Sequence, residues 1–365
     1  MWTRHPILHG PAARGLLIAC VLTFLFWQLH RLGVGDKLQL PSLIETHFAS
    51  ISTQTGDDNT SAAPDASNND NNDGIAQETI PKQIWFKLGP KGLNDNTRKW
   101  TETCIQQNPE YEPRYLTDAE ADALVNTRFV HRPDIVDTYN ALTVPILKAD
   151  MLRYLLLYAE GGVWFDTDAS CEGIPIEEWG ITTAGTSNTT TTPTEQLREN
   201  RARASLIVGW EFDVGLDYEF ERQFVTWAVA AKRGSPRLLT VVDDIVAAIH
   251  ETASQQNLTV SELSMRTVPD VVNFTGPIRF ARSVLRSLGL DRGGGGYSKK
   301  ARKYHGLLEP ALVRDVLILP GYAFARSMNT YAARDKDRVG PALVVHHYAG
   351  SWKNEYGGEK VGRKR

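Results

Sequence analysis

Two aspartates one residue apart, Asp166 and Asp168, have the type and spacing to bind a metal ion. They follow Val163, Trp164 and Phe165, a pattern typical of a buried strand, and side chains two positions apart on a strand point the same way. Converging carboxylates repel each other unless a cation lies between them. Mg²⁺ and Mn²⁺ prefer such oxygen ligands and usually share them with substrate phosphates. The alternative is a solvated turn, since an Asp-x-Asp pattern is common by chance.

An apolar helix precedes this strand and must position it. Hydrophobic residues recur at helical spacing from Leu147 to Tyr158, and Gly161 and Gly162 can take the left-handed conformation that ends a helix. Asp150 and Arg153 lie three residues apart on one face of this helix. They are either substrate-orienting groups or an ion pair within the helix.

Strand and helix patterns alternate from residue 79 onward, which predicts an α/β domain with a parallel sheet. Ligands of such sheets bind at the carboxyl ends of the strands, where the two aspartates would lie. Beyond them the patterns predict a loop, strands and helices in the order Thr182–Thr194 (loop), Ser205–Gly209 (strand), Phe220–Lys232 (helix), Arg237–Ala253 (helix) and Ala342–Val345 (strand).

The composition of the first 78 residues predicts a membrane anchor followed by a stem. Residues 1–14 would form a cytosolic tail, and the apolar run in 15–32 a single-pass anchor, with a cleaved signal peptide as the alternative. Residues 33–78, rich in Ser, Asn and Asp, would form a flexible lumenal stem. The catalytic domain would span 79–353 and a basic tail 354–365. N-x-Ser/Thr sequons fit lumenal exposure, at Asn59, Asn188, Asn257 and Asn273.

The composition limits the classes of binding partner and the possible states of the cysteines. The net charge of -3 and pI near 6.3 give no basic field for nucleic acid, and 42% hydrophobic residues suffice for a core. Cys20 lies in the apolar run. Cys104 and Cys171 therefore remain either as one disulfide or as two buried free thiols.

Seven segments together resemble the fungal initiation-specific α-1,6-mannosyltransferases of the Golgi and, more broadly, the DXD-containing glycosyltransferases. The resemblance covers residues 80–353, and the segments run in order IPKQIWF, NPEYEPRYLTDAEADALV, LKADMLRYLLLYAEGGVWFDTD, IVGWE, TWAVAAKRGSP, FTGP and HHYAGSWK. It implies a GT-A fold, a Rossmann-like mixed sheet flanked by helices. It also implies GDP-mannose as donor, a divalent metal with Mn²⁺ favoured, and transfer that retains the anomeric configuration onto an N-linked glycan.

The resemblance also assigns roles to residues. Asp166 and Asp168 would hold the metal on the donor diphosphate, with His346 or His347 as a third ligand, and the spacing does not choose between the histidines. Arg153 and the two aspartates would act in catalysis. Glu211 and Asp213 are, apart from the resemblance, candidate groups near the acceptor.

The donor would be held by further residues of the motifs. Ser351, Trp352 and Lys353 would close over the phosphates, and Trp85 would stack on the base; a turn and a core aromatic are the alternatives. Asp150 and Arg153 would orient the sugar and the phosphates. Phe86 stands where the family usually has a polar Gln, which puts the contacts of the base pocket in doubt.

Two further functions stay open alongside the lumenal N-glycan mannosyltransferase. One is a sphingolipid mannosyltransferase, although those relatives carry additional membrane spans near their C-termini. The other is a non-catalytic, glycan-binding or scaffolding subunit of a mannosyltransferase complex, which the intact metal-site residues disfavour.

Overall fold

The computed structural model describes residues 79–181, 192–215, 221–290 and 300–359 of the 365-residue chain. The predicted cytosolic tail, anchor and stem lie outside these ranges, as do two of the four sequons. None of the helices within the ranges combines the length and the apolar character that a membrane span requires.

A mixed sheet with helices on both sides forms the centre of the domain. The described strands are β1 (Gln83–Lys87), β2 (Glu112–Leu116), β3 (Gly162–Phe165), β4 (Ala169–Cys171), β5 (Leu206–Glu211), β6 (Gln223–Phe224), β7 (Ala228–Ala231), β8 (Ala311–Val313), β9 (Val316–Leu319) and β10 (Val344–His346). The described α-helices are α1 (Asp95–Gln107), α2 (Asp118–Arg128), α3 (Pro133–Ala141), α4 (Pro145–Glu160), α5 (Thr192–Arg203), α6 (Pro236–Gln255), α7 (Val271–Phe274), α8 (Pro277–Ser287) and α9 (Gly321–Ala325).

The sheet has the order β2-β1-β3-β7-β5-β9-β8, with β6 paired to β5. β1 runs parallel to β2 and β3, and β5 runs parallel to β9, whereas β7 is antiparallel to both β3 and β5. The predicted mixed α/β sheet flanked by helices is therefore confirmed. The parallel sheet expected from the alternation of patterns is found only in part, because β7 runs antiparallel to β3 and β5, and β8 runs antiparallel to β9.

The helix predicted before the aspartates is α4, and it ends as predicted at a double glycine. Gly161 has φ +65° and Gly162 has φ +96°, both in the left-handed region. A Cβ on Gly161 would lie 2.9 Å from the backbone nitrogen of Arg233, so this turn leaves no room for a side chain. The tight turn delivers the chain directly into β3.

Side chains of the sheet alternate between two hydrophobic core clusters. Trp164 of β3 belongs to the larger cluster, formed with α4, α6 and α8, whereas Val163 and Phe165 belong to a second cluster with Trp179 and Phe324. Every residue of β3 is buried. The strand that leads to the aspartates is thus held from both faces.

One predicted helix is wrong. The described part of the predicted helix Phe220–Lys232 contains β6 and β7 and no helix, and every residue from Gln223 to Ala231 is buried. A strand covered on both faces shows a continuous apolar run, which periodicity alone does not separate from a buried helix. Predicted helix Arg237–Ala253 is confirmed as α6, while α5 was not predicted.

A disulfide joins Cys104 of α1 to Cys171 of β4, so the two thiols are not free. The amide of Cys171 also donates to the hydroxyl of Thr103, at 2.9 Å. These two contacts fix β4 to α1.

The packed chain continues past residue 353, the predicted end of the domain. Gly357 is buried, and its carbonyl accepts a hydrogen bond from the amide of Ile146 at 2.9 Å. Ile146 lies in the first turn of α4, which has no side-chain cap. The C-terminal segment therefore covers the start of the central helix.

Candidate active site

Asp166, Asp168 and His346 form a cluster in which one ligand atom from each residue lies within 4.8 Å of the other two. The convergence predicted for the two carboxylates is found, but both aspartates lie in a turn after β3. The amide of Ala169 closes this turn by donating to the carbonyl of Asp166. β10 then pairs antiparallel with β4 and sets His346 opposite Ala169.

Buried donors hold the Asp166 carboxylate. Its Oδ1 accepts hydrogen bonds from the Trp164 indole at 2.7 Å and from Arg153 Nη2 at 3.0 Å. Arg153 Nη1 also donates to Asp150 at 2.7 Å, and Thr275 donates to the second oxygen of Asp150 at 2.8 Å. Burial by itself would lower the pKa of Arg153, but Asp166 and Asp150 raise it, so the guanidinium stays charged.

Asp150 and Arg153 therefore lie behind the cluster. They are 4% and 3% exposed and make the ion pair within the helix that the sequence left as an alternative. In this position they orient the carboxylate of Asp166.

The Asp168 carboxylate is held by the chain that follows β10. Its Oδ2 accepts from the amide of Ala349 at 2.9 Å, and its Oδ1 lies 3.2 Å from His346 Nε2. The Asp168 carbonyl accepts from the amide of His347 at 2.8 Å. Burial tends to raise the pKa of Asp168, but the hydrogen bonds from His346 and Ala349 give a net lowering, so the carboxylate is ionised at neutral pH.

The two neighbouring histidines face opposite ways, as side chains along a strand do. The His346 imidazole stacks on Trp227, with ring centroids 4.3 Å apart. His347 stacks instead on Trp100 at 4.1 Å, and its Nε2 lies 2.9 Å from the Ser170 hydroxyl. Of the two candidates for the third ligand, the structure brings only His346 to the aspartates.

This set of residues fits a divalent cation. Two carboxylates and an imidazole are suitable ligands for Mn²⁺, and the three side chains retain 13 to 27% of their exposure, which leaves space for ligands from a substrate. His346 Nδ1 is buried and has no hydrogen-bond partner among the described residues. The imidazole is thus positioned by stacking and by Asp168 alone.

The residues expected to contact the donor differ in their exposure: Trp85 is buried, whereas Ser351 and Lys353 are exposed. Trp85 is only 8% exposed, and its indole donates to the carbonyl of Gly161 at 2.9 Å, so the structure places it in the larger core cluster instead of on an open stacking surface. Ser351 and Lys353 are exposed, and the half-buried Trp352 packs against the same core cluster. The Lys353 amine lies 5.8 Å from the Trp352 ring.

Glu211 ends β5 and is almost fully buried, at 2% exposure. Its carboxylate accepts hydrogen bonds from Gln223 at 2.6 Å and from the Tyr348 hydroxyl at 3.2 Å. Burial raises its pKa, and these hydrogen bonds together with the charges of His346 and Lys353 oppose the rise only in part. Glu211 thus lies close enough to the cluster to interact electrostatically with it.

Of three aromatic residues that the sequence analysis did not assign, Trp164 and Trp227 contact the cluster and Trp100 contacts the neighbouring His347. Trp164 could have been found, since it precedes Asp166 by only two positions in the sequence. Trp227 and Trp100 could not, because their contacts with the histidines depend on the pairing of β7 with β3 and of β10 with β4.

Comparison with known proteins defines the class. Residues 94–185, which include Asp166 and Asp168, match the family described as glycosyltransferase sugar-binding region containing DXD motif. The match gives residues 94–185 as a glycosyltransferase region with a DXD motif, and the cluster and the mixed sheet agree with it.

Within this class, the chain is similar to initiation-specific α-1,6-mannosyltransferases. The relative from Candida albicans is 29% identical over 76% of this chain and 73% of its own length, and that from Schizosaccharomyces pombe is 30% identical over 76% and 64%. The solved PaToxG glycosyltransferase has a TM-score of 0.36 at 17% identity, over 59% of this chain and 72% of its own. A likeness of that size supports no argument about mechanism. The resemblance first seen in the sequence motifs is confirmed by the two relatives.

Proposed function

We propose that this glycosyltransferase transfers mannose from GDP-mannose to an N-linked glycan core and forms an α-1,6 linkage. The reaction would use a divalent metal, with Mn²⁺ as the favoured ion. The observation that carries the proposal is the cluster of Asp166, Asp168 and His346 at the carboxyl end of β3. The similarity to mannosyltransferases along three quarters of the chain supports the choice of sugar.

In this reaction, the bond between the anomeric carbon and the phosphate oxygen breaks, and its electron pair stays with the leaving GDP. The acceptor hydroxyl oxygen bonds to the same carbon, and its proton passes to the departing phosphate or to water. A bound divalent cation neutralises the charge that develops on the leaving diphosphate. Asp166, Asp168 and His346 would hold that cation.

The surrounding residues keep the carboxylates in place throughout the reaction. Arg153 and Trp164 fix Asp166, and the Ala349 amide fixes Asp168, so that no side chain must reorganise when charge develops. Lys353 is exposed on the loop after β10 and supplies a second positive charge for the phosphates. Retention of configuration requires the acceptor hydroxyl to approach on the face that the nucleotide leaves.

The test is a panel of nucleotide sugars and metals with the purified full-length chain in detergent. We expect GDP release from GDP-mannose with Mn²⁺, loss of release with a chelator, and loss in Asp168→Asn, which removes a ligand charge at nearly constant shape. Asp335→Asn, on a partly exposed surface carboxylate, is the matched control. Transfer that persists with the chelator, or in Asp168→Asn, would contradict the metal role.

The same panel separates the enzyme from the alternatives. A scaffolding subunit would release no nucleotide from any donor, and a sphingolipid mannosyltransferase would use an inositol phosphoceramide acceptor instead of an N-glycan. Product analysis by mass spectrometry after glycosidase digestion gives the linkage.

We also propose a type II topology, with residues 15–32 as the anchor of a Golgi enzyme whose domain faces the lumen. The apolar run and the stem composition support it. In intact vesicles, the domain should resist added protease, while a tag at the N-terminus is removed. A mature protein that begins just after residue 30 would contradict the anchor.

A further inference from the structure

A cavity of about 290 Å³ lies directly beside the cluster of Asp166, Asp168 and His346. It is formed between the end of α9, the residues after it and β10, and one of its walls is His346 itself. The remaining lining residues are Phe324, Ala325, Arg326, Ser327, Ala342, Val344, Val345 and Tyr348. A molecule in this cavity would therefore touch a residue of the proposed reaction centre.

The walls of the cavity are amphipathic. Phe324, Ala325 and Val344 are buried and give it an apolar floor, while Arg326 and Ser327 are exposed at its rim. A monosaccharide has the matching character, since one face of the ring carries C–H groups and its edge carries hydroxyls. A diphosphate does not match, because Arg326 is the only formally positive side chain among the lining residues.

Tyr348 gives the cavity an aromatic wall. Tyr348 is 37% exposed, one of the few large hydrophobic residues in the described ranges that is so open. Its backbone φ is +50°, a left-handed conformation that a bulky residue adopts only when its surroundings enforce it. The ring is held edge-on to His346 at 4.3 Å, and the hydroxyl donates to Glu211. Strain of this kind at a site typically serves to position a side chain.

The size of the cavity limits the ligand. Pockets for small molecules usually measure about 300 to 1,000 Å³, so this cavity of about 290 Å³ is just below that range and suits one sugar unit instead of a nucleotide. The donor diphosphate, in turn, is assigned to the neighbouring carboxylate cluster.

We propose that this cavity is the subsite for the terminal monosaccharide of the acceptor. In this arrangement, the C–H face of the sugar packs on the Tyr348 ring, and Arg326 and Ser327 donate hydrogen bonds to its hydroxyls. The sugar hydroxyl that attacks then lies next to His346. The proposal rests on the proposed function, and it deepens it by assigning the acceptor to a set of residues outside the metal cluster.

Two variants of the full-length chain test the assignment. Ala342→Leu adds three carbons to a half-buried wall of the cavity, and Arg326→Gln removes its cation. With a mannose-terminated N-glycan oligosaccharide as acceptor, we expect each variant to raise the ratio of acceptor KM to donor KM about tenfold, which corresponds to about 1.4 kcal/mol. Ala333→Leu makes the same change on an exposed residue outside the cavity and should keep the native ratio.

Binding of methyl α-mannoside, followed by saturation-transfer NMR, provides a second readout that needs no turnover. The native chain and Ala333→Leu should show the transfer signals, and Ala342→Leu should lose them. Equal signals in all three proteins, or a donor KM that rises as much as the acceptor KM, would overturn the proposal. Failure of the proposed function is recognised separately, as a native chain that releases no GDP from GDP-mannose.

Discussion

At the scale of residues, the adjacent histidines His346 and His347 allow a discriminating experiment. Only His346 lies with the two aspartates, whereas His347 stacks on Trp100 on the other side of β10. We predict that His346→Ala raises the Mn²⁺ dissociation constant at least about tenfold, because one of three protein ligands is lost. Mn²⁺ titration by electron paramagnetic resonance measures this without donor or acceptor.

His347→Ala is the matched control for that titration. Its backbone amide, which holds the carbonyl of Asp168, survives the substitution. We expect Mn²⁺ affinity within about threefold of the native chain. An equal loss of Mn²⁺ affinity in both variants would show that the integrity of the end of β10, and not the His346 imidazole, determines Mn²⁺ binding.

Glu211 provides a prediction about pH. Because burial raises its folded-state pKa above the ordinary value of 4.5, the folded protein binds this proton more tightly than the unfolded chain. Its contribution to stability is therefore complete at low pH and is lost as the pH rises from about 4.5 through the raised pKa. Glu211→Gln has no such proton, so its melting temperature should fall less over the same interval.

Thermal unfolding of both proteins from pH 4 to 8, without metal, measures the difference. The buried carboxyl of Asp150 is present in both proteins and cancels in the comparison. Parallel curves would mean that the carboxyl of Glu211 is as well solvated as in the unfolded chain.

At the scale of elements, the sequence predicted those parts whose signals are local. The helix before the aspartates, its stop at Gly161 and Gly162 and the buried strand β3 all follow from spacing and residue type within one short stretch. Strands β6 and β7 were taken for a helix because a strand buried on both faces has no alternation. The sequence left the choice between His346 and His347 open, since it depends on how β10 pairs with a distant strand.

The disulfide between α1 and β4 stabilises the element that carries the site. It closes a loop of 67 residues, and replacing both Cys104 and Cys171 by Ala should cost about 2 to 4 kcal/mol of stability. Because β4 pairs with the strand that carries His346, we also expect weaker Mn²⁺ binding. Calorimetry and the Mn²⁺ titration measure the two effects.

Cys20→Ala is the matched control for this double variant, as it removes a thiol that takes no part in the bridge. Reduction of the native chain should reproduce the loss of stability. A native melting temperature that does not respond to reduction would contradict a stabilising role for the disulfide.

At the scale of the whole molecule, the order of the motifs along the chain could be predicted from the sequence. Their proximity in the folded protein could not. Asp166 and His346 are 180 residues apart, and nothing in either stretch specifies that β4 and β10 pair. The resemblance supplied that connection, and the structure shows its physical basis in the ladder of β4 with β10 and the Trp227 ring behind the imidazole.

The end of the described chain stabilises its central helix, and Gly357 makes this testable. Gly357 and Gly92 share φ +69°, so an alanine at either position meets the same backbone strain of about 1 to 2 kcal/mol. A Cβ at Gly92 enters open space, whereas one at Gly357 would lie 2.7 Å from a methyl group of Val144, at the start of α4. We therefore predict that Gly357→Ala costs about 1 to 3 kcal/mol more than Gly92→Ala, because the added methyl must push the segment away from α4 and break its hydrogen bond with Ile146. Urea unfolding of both variants measures the difference, and equal losses would show that the segment does not pack on the helix in solution.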